Sequence, residues 1–381
     1  MNIDTSFDDI RPYNDNEIKD VLKRLVEEPG FIKFVHYLNP DCDKNTIKKS
    51  FSTINSIKEF QHILIFSFVK SIIAKTTKGL TFSGLEKLSP EKNYLFISNH
   101  RDIILDSSFL NVILYENKFD TTEIAIGDNL LAFNWINDLV RINKSFIVHR
   151  NLSPRLTYEY SKHLSEYIRY SLTQKHNSIW LAQREGRTKN GDDKTQLSLL
   201  KMLNISSDKD IIDSYYDLNI VPLSISYEYD SCDNLKVAEL YARSLNPDFK
   251  KNKNDDLISM GIGMTTQKGR VNFAIGNPIN ENLAALSDIK NKNELLKHIS
   301  ILIDKEIYKN YMLYTTNYIA YDISNNSNKF ADRYSINEKN EFNVYVNNSL
   351  KKISGDKAKL KKMFIDIYAN PVINKIKNEV L

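Results

Sequence analysis

The sequence predicts an α/β protein, in which a mixed, mostly parallel sheet is flanked by helices and extended by helical N-terminal and C-terminal regions. From residue 80 onward, short apolar runs of strand length alternate with helical patterns, the order that builds a largely parallel sheet covered by helices. Before residue 80 and beyond residue 285, helical spacing dominates. We therefore predict a helical region at 1–79, an α/β domain at 80–285 and a second helical region at 286–381.

The bulk composition excludes several classes of protein. With 381 residues, 26% of them charged and 41% hydrophobic, the chain is typical of a globular protein with a sizeable core. A net charge of +4 is too mild to indicate a nucleic-acid partner. The cysteines Cys42 and Cys232 form no CxxC pair, which argues against a disulfide framework and a cysteine zinc site.

The first region is predicted to be helical throughout. Apolar residues at helical spacing predict a helix over 15–28 that ends at Pro29. A short helix over 31–38 and a long helical tract over 44–77 follow. The polar, acidic start of the chain is not typical of a signal peptide.

Residues 60–74, FQHILIFSFVKSIIA, have apolar side chains on nearly every face of the predicted helix. The run is too interrupted to be a membrane-spanning helix, which needs about 18 or more apolar residues. Two interpretations remain: a helix packed in the core, or a helix lying in a membrane interface with neighbouring lysines facing anionic headgroups. The lysines nearby are Lys48, Lys49, Lys58, Lys70, Lys75 and Lys78.

The central domain contains seven predicted strands separated by helical segments. The strands are predicted at 80–85, 94–98, 123–128, 145–150, 178–183, 220–228 and 269–276. The clearest helices are predicted at 103–115, 129–141, 152–174 and 195–203, followed in the C-terminal region by 292–312 and 355–378. Pro222, inside the sixth run, suggests an edge strand, a first strand residue or a bulge.

The stretch 93–110, NYLFISNHRDIILDSSFL, is the strongest candidate for a functional site. A strand ends in a polar cluster and leads into a helix, which is where α/β proteins place their chemistry. The cluster contains His100, whose residue type suits proton transfer near neutral pH, and two carboxylates, Asp102 and Asp106. A carboxylate beside a histidine can orient the ring and stabilise its cation.

Three more polar clusters lie at or near predicted strands. The segment from Lys144 to Arg150 ends a strand with a guanidinium group, and Phe146 lies within it. The segment 184–191, REGRTKNG, places arginines around two glycines, and Pro222 lies in the next strand. Arginine binds phosphate in a planar, bidentate way, and glycine lets backbone N–H groups approach an anion.

Together these segments resemble the glycerolipid acyltransferase family, which contains lysophosphatidate and glycerol-3-phosphate acyltransferases. NH at 99–100 followed by an aspartate is similar to the first block of the family, and FIVHR at 146–150 to the second. REGRTKNG at 184–191 and IVPLSISYE at 220–228 are similar to the third and fourth. Their order and spacing agree with the family over roughly residues 80–285.

The resemblance implies a role for each block. His100 would be the general base and an aspartate its partner. Residues of the second and third blocks would bind the acceptor and its phosphate. These substrate-binding candidates are Lys144, Phe146, Arg150, Glu185, Gly186, Arg187 and, in the fourth block, Pro222.

The sequence departs from the family pattern at two points. The family places four residues between histidine and aspartate, but that position here is Leu105. Asp106 follows one residue later, and Asp102 comes earlier. If Asp102 caps the helix, Asp106 shares its face and His100 can fold back onto either carboxylate, so we choose Asp106 and keep Asp102 in reserve. The third block is also one residue shorter than the family form, which shifts Arg187.

The resemblance implies transfer of an acyl group from acyl-CoA or acyl-carrier protein to a hydroxyl of glycerol 3-phosphate or a lysophospholipid. For this reaction we expect no metal and no cofactor. It also implies a peripheral location on the cytoplasmic face of the cell membrane, in contact with the membrane surface. Two alternatives remain open from the sequence. One is an O-acyltransferase for a lyso-lipid without phosphate, and the other is a non-catalytic, membrane-associated scaffold with a degenerate acyltransferase domain.

Overall fold

A computed structural model describes residues 6–38, 43–252 and 254–379 of the chain. Cys42 lies outside these residues.

A seven-stranded mixed sheet forms the centre of the described structure. The strands are β1 Gly79–Ser83, β2 Leu95–Ser98, β3 Glu123–Gly127, β4 Ser145–Val148, β5 Ile179–Ala182, β6 Ile220–Tyr227 and β7 Arg270–Ile275. Their order is β1-β7-β6-β2-β5-β3-β4, and all neighbours are parallel except β6 and β7. Each predicted strand is present within a few residues of its predicted bounds, so the mixed, mostly parallel α/β class is confirmed.

The sheet is flanked by helices that connect the strands and extend beyond them. The helices of the N-terminal region are α1 Ile18–Glu27, α2 Pro29–Leu38, α3 Lys44–Ser52, α4 Ile57–Phe60 and α5 Ser67–Thr76, with a π-helix at Gln61–Phe66 before α5. Those of the central part are α6 Leu105–Glu116, α7 Asn134–Ile142, α8 Pro154–Thr173, α9 Leu197–Asn204, α10 Ile211–Tyr216, α11 Asp233–Leu245, α12 Asp255–Thr265 and α13 Asn280–Leu283. The C-terminal helices are α14 Lys292–Asn310, α15 Thr315–Ser324, α16 Ile336–Leu350 and α17 Lys357–Lys377.

Side chains that alternate between the two faces of the sheet divide the core into two layers. Leu95 and Ile97 of β2 point to one face, where they join a cluster with helices α8, α9 and α14. Phe96 of the same strand points to the other face and packs with α5 and α6. Because side chains of a strand alternate between faces, apolar residues at nearly every position bury both faces of the sheet.

Pro222 lies in an interior strand, which corrects the expectation of an edge position. β6 has β2 on one side and β7 on the other, and Pro222 pairs with Ile97 of β2. The antiparallel ladder with β7 begins one residue later, at Leu223. The carbonyl of Pro222 still accepts a bond from Gly276 N–H at 2.8 Å. The missing proline N–H therefore falls at the end of that ladder, where its loss disturbs the sheet least.

The apolar segment at 60–74 packs mainly into the protein. Phe66, Val69 and Ile72 are buried against the sheet layer that contains α6. Ile65 and Phe68 are partly buried and also pack there. In the described part of the chain, no helix is long and apolar enough to cross a membrane.

Candidate active site

Polar residues meet at one edge of the sheet because five neighbouring strands run in the same direction. His100, Asp128, Arg150 and Glu185 follow the carboxyl ends of β2, β3, β4 and β5, which are neighbours in the sheet. This edge is where an α/β sheet offers a crevice for a ligand.

His100 and Asp106 form a histidine–carboxylate pair at this edge. The Nδ1 atom of His100 lies 2.8 Å from Oδ2 of Asp106. α6 begins at Leu105, so Asp106 is in its first turn, and His100 precedes the helix in a segment without regular secondary structure. A turn at 103–104 lies between the two residues. The pairing predicted for Asp106 is therefore geometrically possible despite the shifted spacing.

Asp106 is held by four donors. Oδ2 accepts three hydrogen bonds: one from His100, one from the backbone N–H of Arg101 at 2.6 Å, and one from the backbone N–H of Asp102 at 3.0 Å. Oδ1 accepts the hydroxyl of Tyr227, at 3.0 Å. Burial and the nearby carboxylates keep the pKa of Tyr227 well above its usual range, so the phenol remains a donor. These contacts fix both carboxylate oxygens and aim Oδ2 at the histidine.

The reserve candidate Asp102 faces other partners. Its Oδ1 accepts the N–H groups of Ile104 and Leu105, each at 2.9 Å, and therefore caps the start of α6. Its Oδ2 accepts the hydroxyl of Ser231. Gly263 of α12 packs so closely that a Cβ there would collide with this oxygen. Asp102 thus supports the turn around His100 and packs against α12.

His100 is mostly enclosed but retains an exposed part, with 12% of its side-chain surface accessible. The indole of Trp180 meets the ring edge-to-face at a centroid distance of 5.5 Å. An ionised Asp106 accepts only, so the bond assigns the ring proton to Nδ1 and leaves the Nε2 lone pair available for a substrate proton. The pair can therefore act as a general base.

Arg150 and Glu185 lie close together at the same edge. Nη1 of Arg150 is 3.5 Å from Oε1 of Glu185, and the two side chains are 29% and 70% exposed. Gly127 allows the Arg150 side chain to cross the end of β3, since a Cβ at that position would clash with the guanidinium. The neighbouring His149 pairs with Asp128 at 3.1 Å. A partly exposed guanidinium with one long ion-pair contact can turn to bind an anionic substrate group.

The loop at 184–191 joins this arginine region to the histidine. Its Thr188 N–H donates to the carbonyl of His100 at 2.9 Å, three residues beyond Glu185. Gly186 has a φ of 69°, a left-handed conformation that glycine adopts without strain. Arg187 is 8% exposed, and its Nη1 makes no hydrogen bond to any described residue. Arg187 thus has donor capacity to spare for a ligand.

Three predicted substrate residues do not reach this edge. The ammonium group of Lys144 donates to the carbonyl of Thr121 at 2.6 Å, which places it at the amino ends of β3 and β4. Phe146 is fully buried and packs on Tyr167, because its strand position turns it into the core. Pro222 lies inside β6, five residues before the strand ends. The structure therefore does not bring these three residues together with the others, since the block resemblance does not give side-chain direction.

The sequence did not reveal that Tyr227 and Trp180 contact the histidine–carboxylate pair, or that helix α12 packs against Asp102. Tyr227 and Trp180 occur in predicted strands, where large aromatic residues are ordinary core residues, so no local signal distinguished them. α12 connects with the edge through the Asn129 amide, which donates to Asp256 at 3.1 Å. In the described part of the chain, no group of three or more potential metal-ligating side chains is assembled.

The fold and this edge define an α/β protein with a histidine–aspartate pair and Arg150 at the carboxyl ends of its parallel strands. Residues 79–226 match the acyltransferase family model. The matched segment begins with β1, ends in β6 and contains His100, Asp106, Arg150 and Glu185. This part of the chain therefore matches the acyltransferase family, as the resemblance of its sequence blocks predicts.

The chain is also similar to two mammalian proteins named dihydroxyacetone phosphate acyltransferase. It is 24% identical to the human protein over 230 residues, which are 60% of this chain and 32% of that protein. It is 24% identical to the bovine protein over 270 residues, 70% of this chain and 38% of that protein. The chain thus spans about a third of the length of these relatives.

One similar solved structure is the crystal structure of the 1-acyl-sn-glycerophosphate (LPA) acyltransferase PlsC from Thermotoga maritima. The identity is 13% and the TM-score 0.36, over 76% of this chain and 92% of that one.

Proposed function

We propose that the chain is an O-acyltransferase that moves a fatty acyl group from a thioester, acyl-CoA or acyl-carrier protein, to a hydroxyl of a glycerol-based acceptor. The observation that carries this proposal is the His100–Asp106 pair, 2.8 Å apart, on the same sheet edge as Arg150. The acyltransferase domain and the names of the relatives support the same class of reaction.

In the proposed reaction, Nε2 of His100 takes the proton of the acceptor hydroxyl while Asp106 stabilises the imidazolium cation. The hydroxyl oxygen attacks the thioester carbonyl and forms the new C–O bond. The C–S bond then breaks, and the leaving thiolate takes the proton back from His100. The transfer is direct and requires no acyl-enzyme. Backbone N–H groups near a helix N-terminus would stabilise the carbonyl oxyanion.

The acceptor in this proposal carries a phosphate. Arg150 is partly exposed and shares only a 3.5 Å contact with a mostly exposed glutamate, so it can turn to a substrate anion. The spare donor of Arg187 provides a second cationic contact. Glycerol 3-phosphate is our first candidate, and lysophospholipid is retained. Dihydroxyacetone phosphate joins them because the two mammalian relatives are named for it.

The rival interpretation, a degenerate scaffold, was motivated by the displaced aspartate. Despite the shifted spacing, Asp106 bonds to His100 through Oδ2. A scaffold has no need to keep a carboxylate with four donors facing a partly exposed histidine. The geometry therefore favours the enzyme.

The test is an acyl-transfer assay with purified protein. Labelled acyl-CoA and acyl-carrier protein are each offered with glycerol 3-phosphate, dihydroxyacetone phosphate, a lysophospholipid or a lyso-lipid without phosphate. We expect acyl ester formation with a phosphate acceptor and a loss of about 10²–10⁴-fold in His100→Ala. His36→Ala, an exposed histidine on α2, is the matched control. No transfer to any acceptor, or an unaffected His100→Ala variant, would refute the proposal.

We also propose peripheral association with the cytoplasmic face of the cell membrane, because acylated products enter a bilayer. Ile63, at 44% exposed, is the most exposed large apolar residue of the segment 60–74. Ile63→Asp should reduce flotation with anionic liposomes without lowering stability. Phe68→Asp should instead destabilise the fold, since that ring packs against Phe34. Undiminished flotation of Ile63→Asp would place the membrane contact elsewhere.

A further inference from the structure

The residues on either side of His100 are fixed by buried polar contacts. Asn99 exchanges two bonds with the backbone of Ile225 in β6, at 2.8 and 2.9 Å. The guanidinium of Arg101, 1% exposed, donates to Asp193 at 2.6 Å. Neither flanking side chain reaches solvent, so both serve the interior of the protein and hold the backbone at the histidine.

Arg101 belongs to a buried cluster of two cations and two anions. Lys236 of α11 forms an ion pair with Asp230, whose other oxygen lies 3.9 Å from the Arg101 guanidinium. Asp193 is the second anion. The four residues are between 1% and 7% exposed. Charges buried in this way require partners, and the cluster is balanced only when all four members are present.

Two consecutive peptide groups connect this cluster to the proposed base. The His100–Arg101 peptide accepts from Thr188 N–H on its oxygen, at 2.9 Å, and donates its N–H to Asp106 Oδ2, at 2.6 Å. The Arg101–Asp102 peptide accepts from Lys236 Nζ, at 2.8 Å, and donates to the same Asp106 oxygen, at 3.0 Å. Because a peptide group is planar, holding its oxygen also sets the direction of its N–H.

We propose that Lys236 is a positioning residue for the His100–Asp106 pair, an inference that rests on the proposed function. Its ammonium group holds the carbonyl of the Arg101–Asp102 peptide, and the opposite side of that peptide aims Asp106 at the histidine. The positive charge also polarises the peptide and strengthens its N–H donor. Lys236 lies outside the matched domain at 79–226 and extends the site into α11.

Two variants distinguish a role of Lys236 in positioning Asp106 from a role in balancing the charge of the buried cluster. Lys236→Met removes the donor to the Arg101 carbonyl and leaves the cluster with one excess negative charge. Lys236→Met with Asp230→Asn also lacks the donor but restores the balance between Arg101 and Asp193. We expect the single variant to lose thermal stability and the double variant to regain most of it. In both, kcat should be about 10- to 100-fold lower with unchanged KM for donor and acceptor, the range seen when a supporting hydrogen bond is lost.

A spectroscopic signal provides a second readout. The Nδ1 proton of His100, shared with Asp106, should give a downfield proton NMR resonance that is absent in His100→Ala and shifted or broadened in the double variant. A double variant with wild-type kcat and an unchanged resonance overturns the proposal. So does failure of both variants to fold, because Lys236 would then serve only the fold. An inactive wild type, or an active His100→Ala variant, would instead show that the proposed function has failed.

Discussion

Replacement of Asp106 by asparagine is the most direct test of the histidine–aspartate pair. The asparagine oxygen can take the place of Oδ2 and accept the three N–H donors, while its NH₂ group faces the Tyr227 hydroxyl, which can rotate to accept. Folding should therefore be changed by only about 1–2 kcal/mol. What the variant loses is the negative charge beside the histidine.

The size of the catalytic loss follows from the geometry. With nitrogen and oxygen 2.8 Å apart, the charge centres of imidazolium and carboxylate are about 4 Å apart, worth about 4 kcal/mol at an effective dielectric constant of about 20. Because proton transfer is only partly complete in the transition state, the variant should lose about 2–4 kcal/mol of transition-state stabilisation. This corresponds to a decrease of about 30- to 1,000-fold in kcat.

The assay is single-turnover acyl transfer, run beside urea unfolding of each variant. Asp102→Asn is the matched control, because its oxygen can still cap α6 and its NH₂ can donate to Ser231. We expect this control to lose less than about tenfold in kcat, since Asp102 does not touch the histidine. A larger defect in Asp102→Asn than in Asp106→Asn would refute the assignment of the dyad.

Two further predictions concern acceptor binding and pH. Arg150→Ala should raise the acceptor KM by about 10- to 150-fold through loss of a charge-assisted phosphate contact. Lys144→Met, at the opposite edge of the sheet, should leave the acceptor KM unchanged. Equal effects of the two variants would contradict the assignment of Arg150 to the acceptor site. Lys268 is fully buried, and burial lowers its pKa to about 8 against about 10.4 when unfolded. Between these pH values the unfolded chain binds more protons than the folded protein. The free energy of unfolding of the wild type should therefore rise by up to about 3 kcal/mol, relative to Lys268→Met, as pH increases from 8 to 10.4. Urea unfolding curves that give parallel stabilities for the two proteins would contradict this prediction.

The helices show where sequence patterning was insufficient. α14 and α17 were predicted within a few residues, as were α6 and α8, because each has a long run with helical spacing. α12 was missed, since Gly261 and Gly263 weaken its helix propensity. Contact with Asp102 instead favours glycine at 263, where a side chain would collide. Tertiary packing therefore outweighs local propensity in this helix.

The membrane-interface interpretation of the segment 60–74 was drawn from its apolar helical pattern and the neighbouring lysines. An apolar helix has the same pattern whether it packs on protein or on lipid. Only the fold shows that Phe66, Val69 and Ile72 meet the sheet layer, while Ile63 stays exposed. The membrane contact itself remains a prediction.

The sequence by itself determined the α/β class, the seven strands and the edge at which His100, Arg150 and Glu185 lie. This was possible because the carboxyl ends of neighbouring parallel strands necessarily share an edge. Only the tertiary structure decided that Asp106 contacts His100 while Asp102 caps α6, and that Lys144 and Phe146 point elsewhere. Such choices depend on the direction of each side chain, which is set by residues distant in sequence such as Tyr227, Ser231 and Lys236. A local pattern contains no information about these partners.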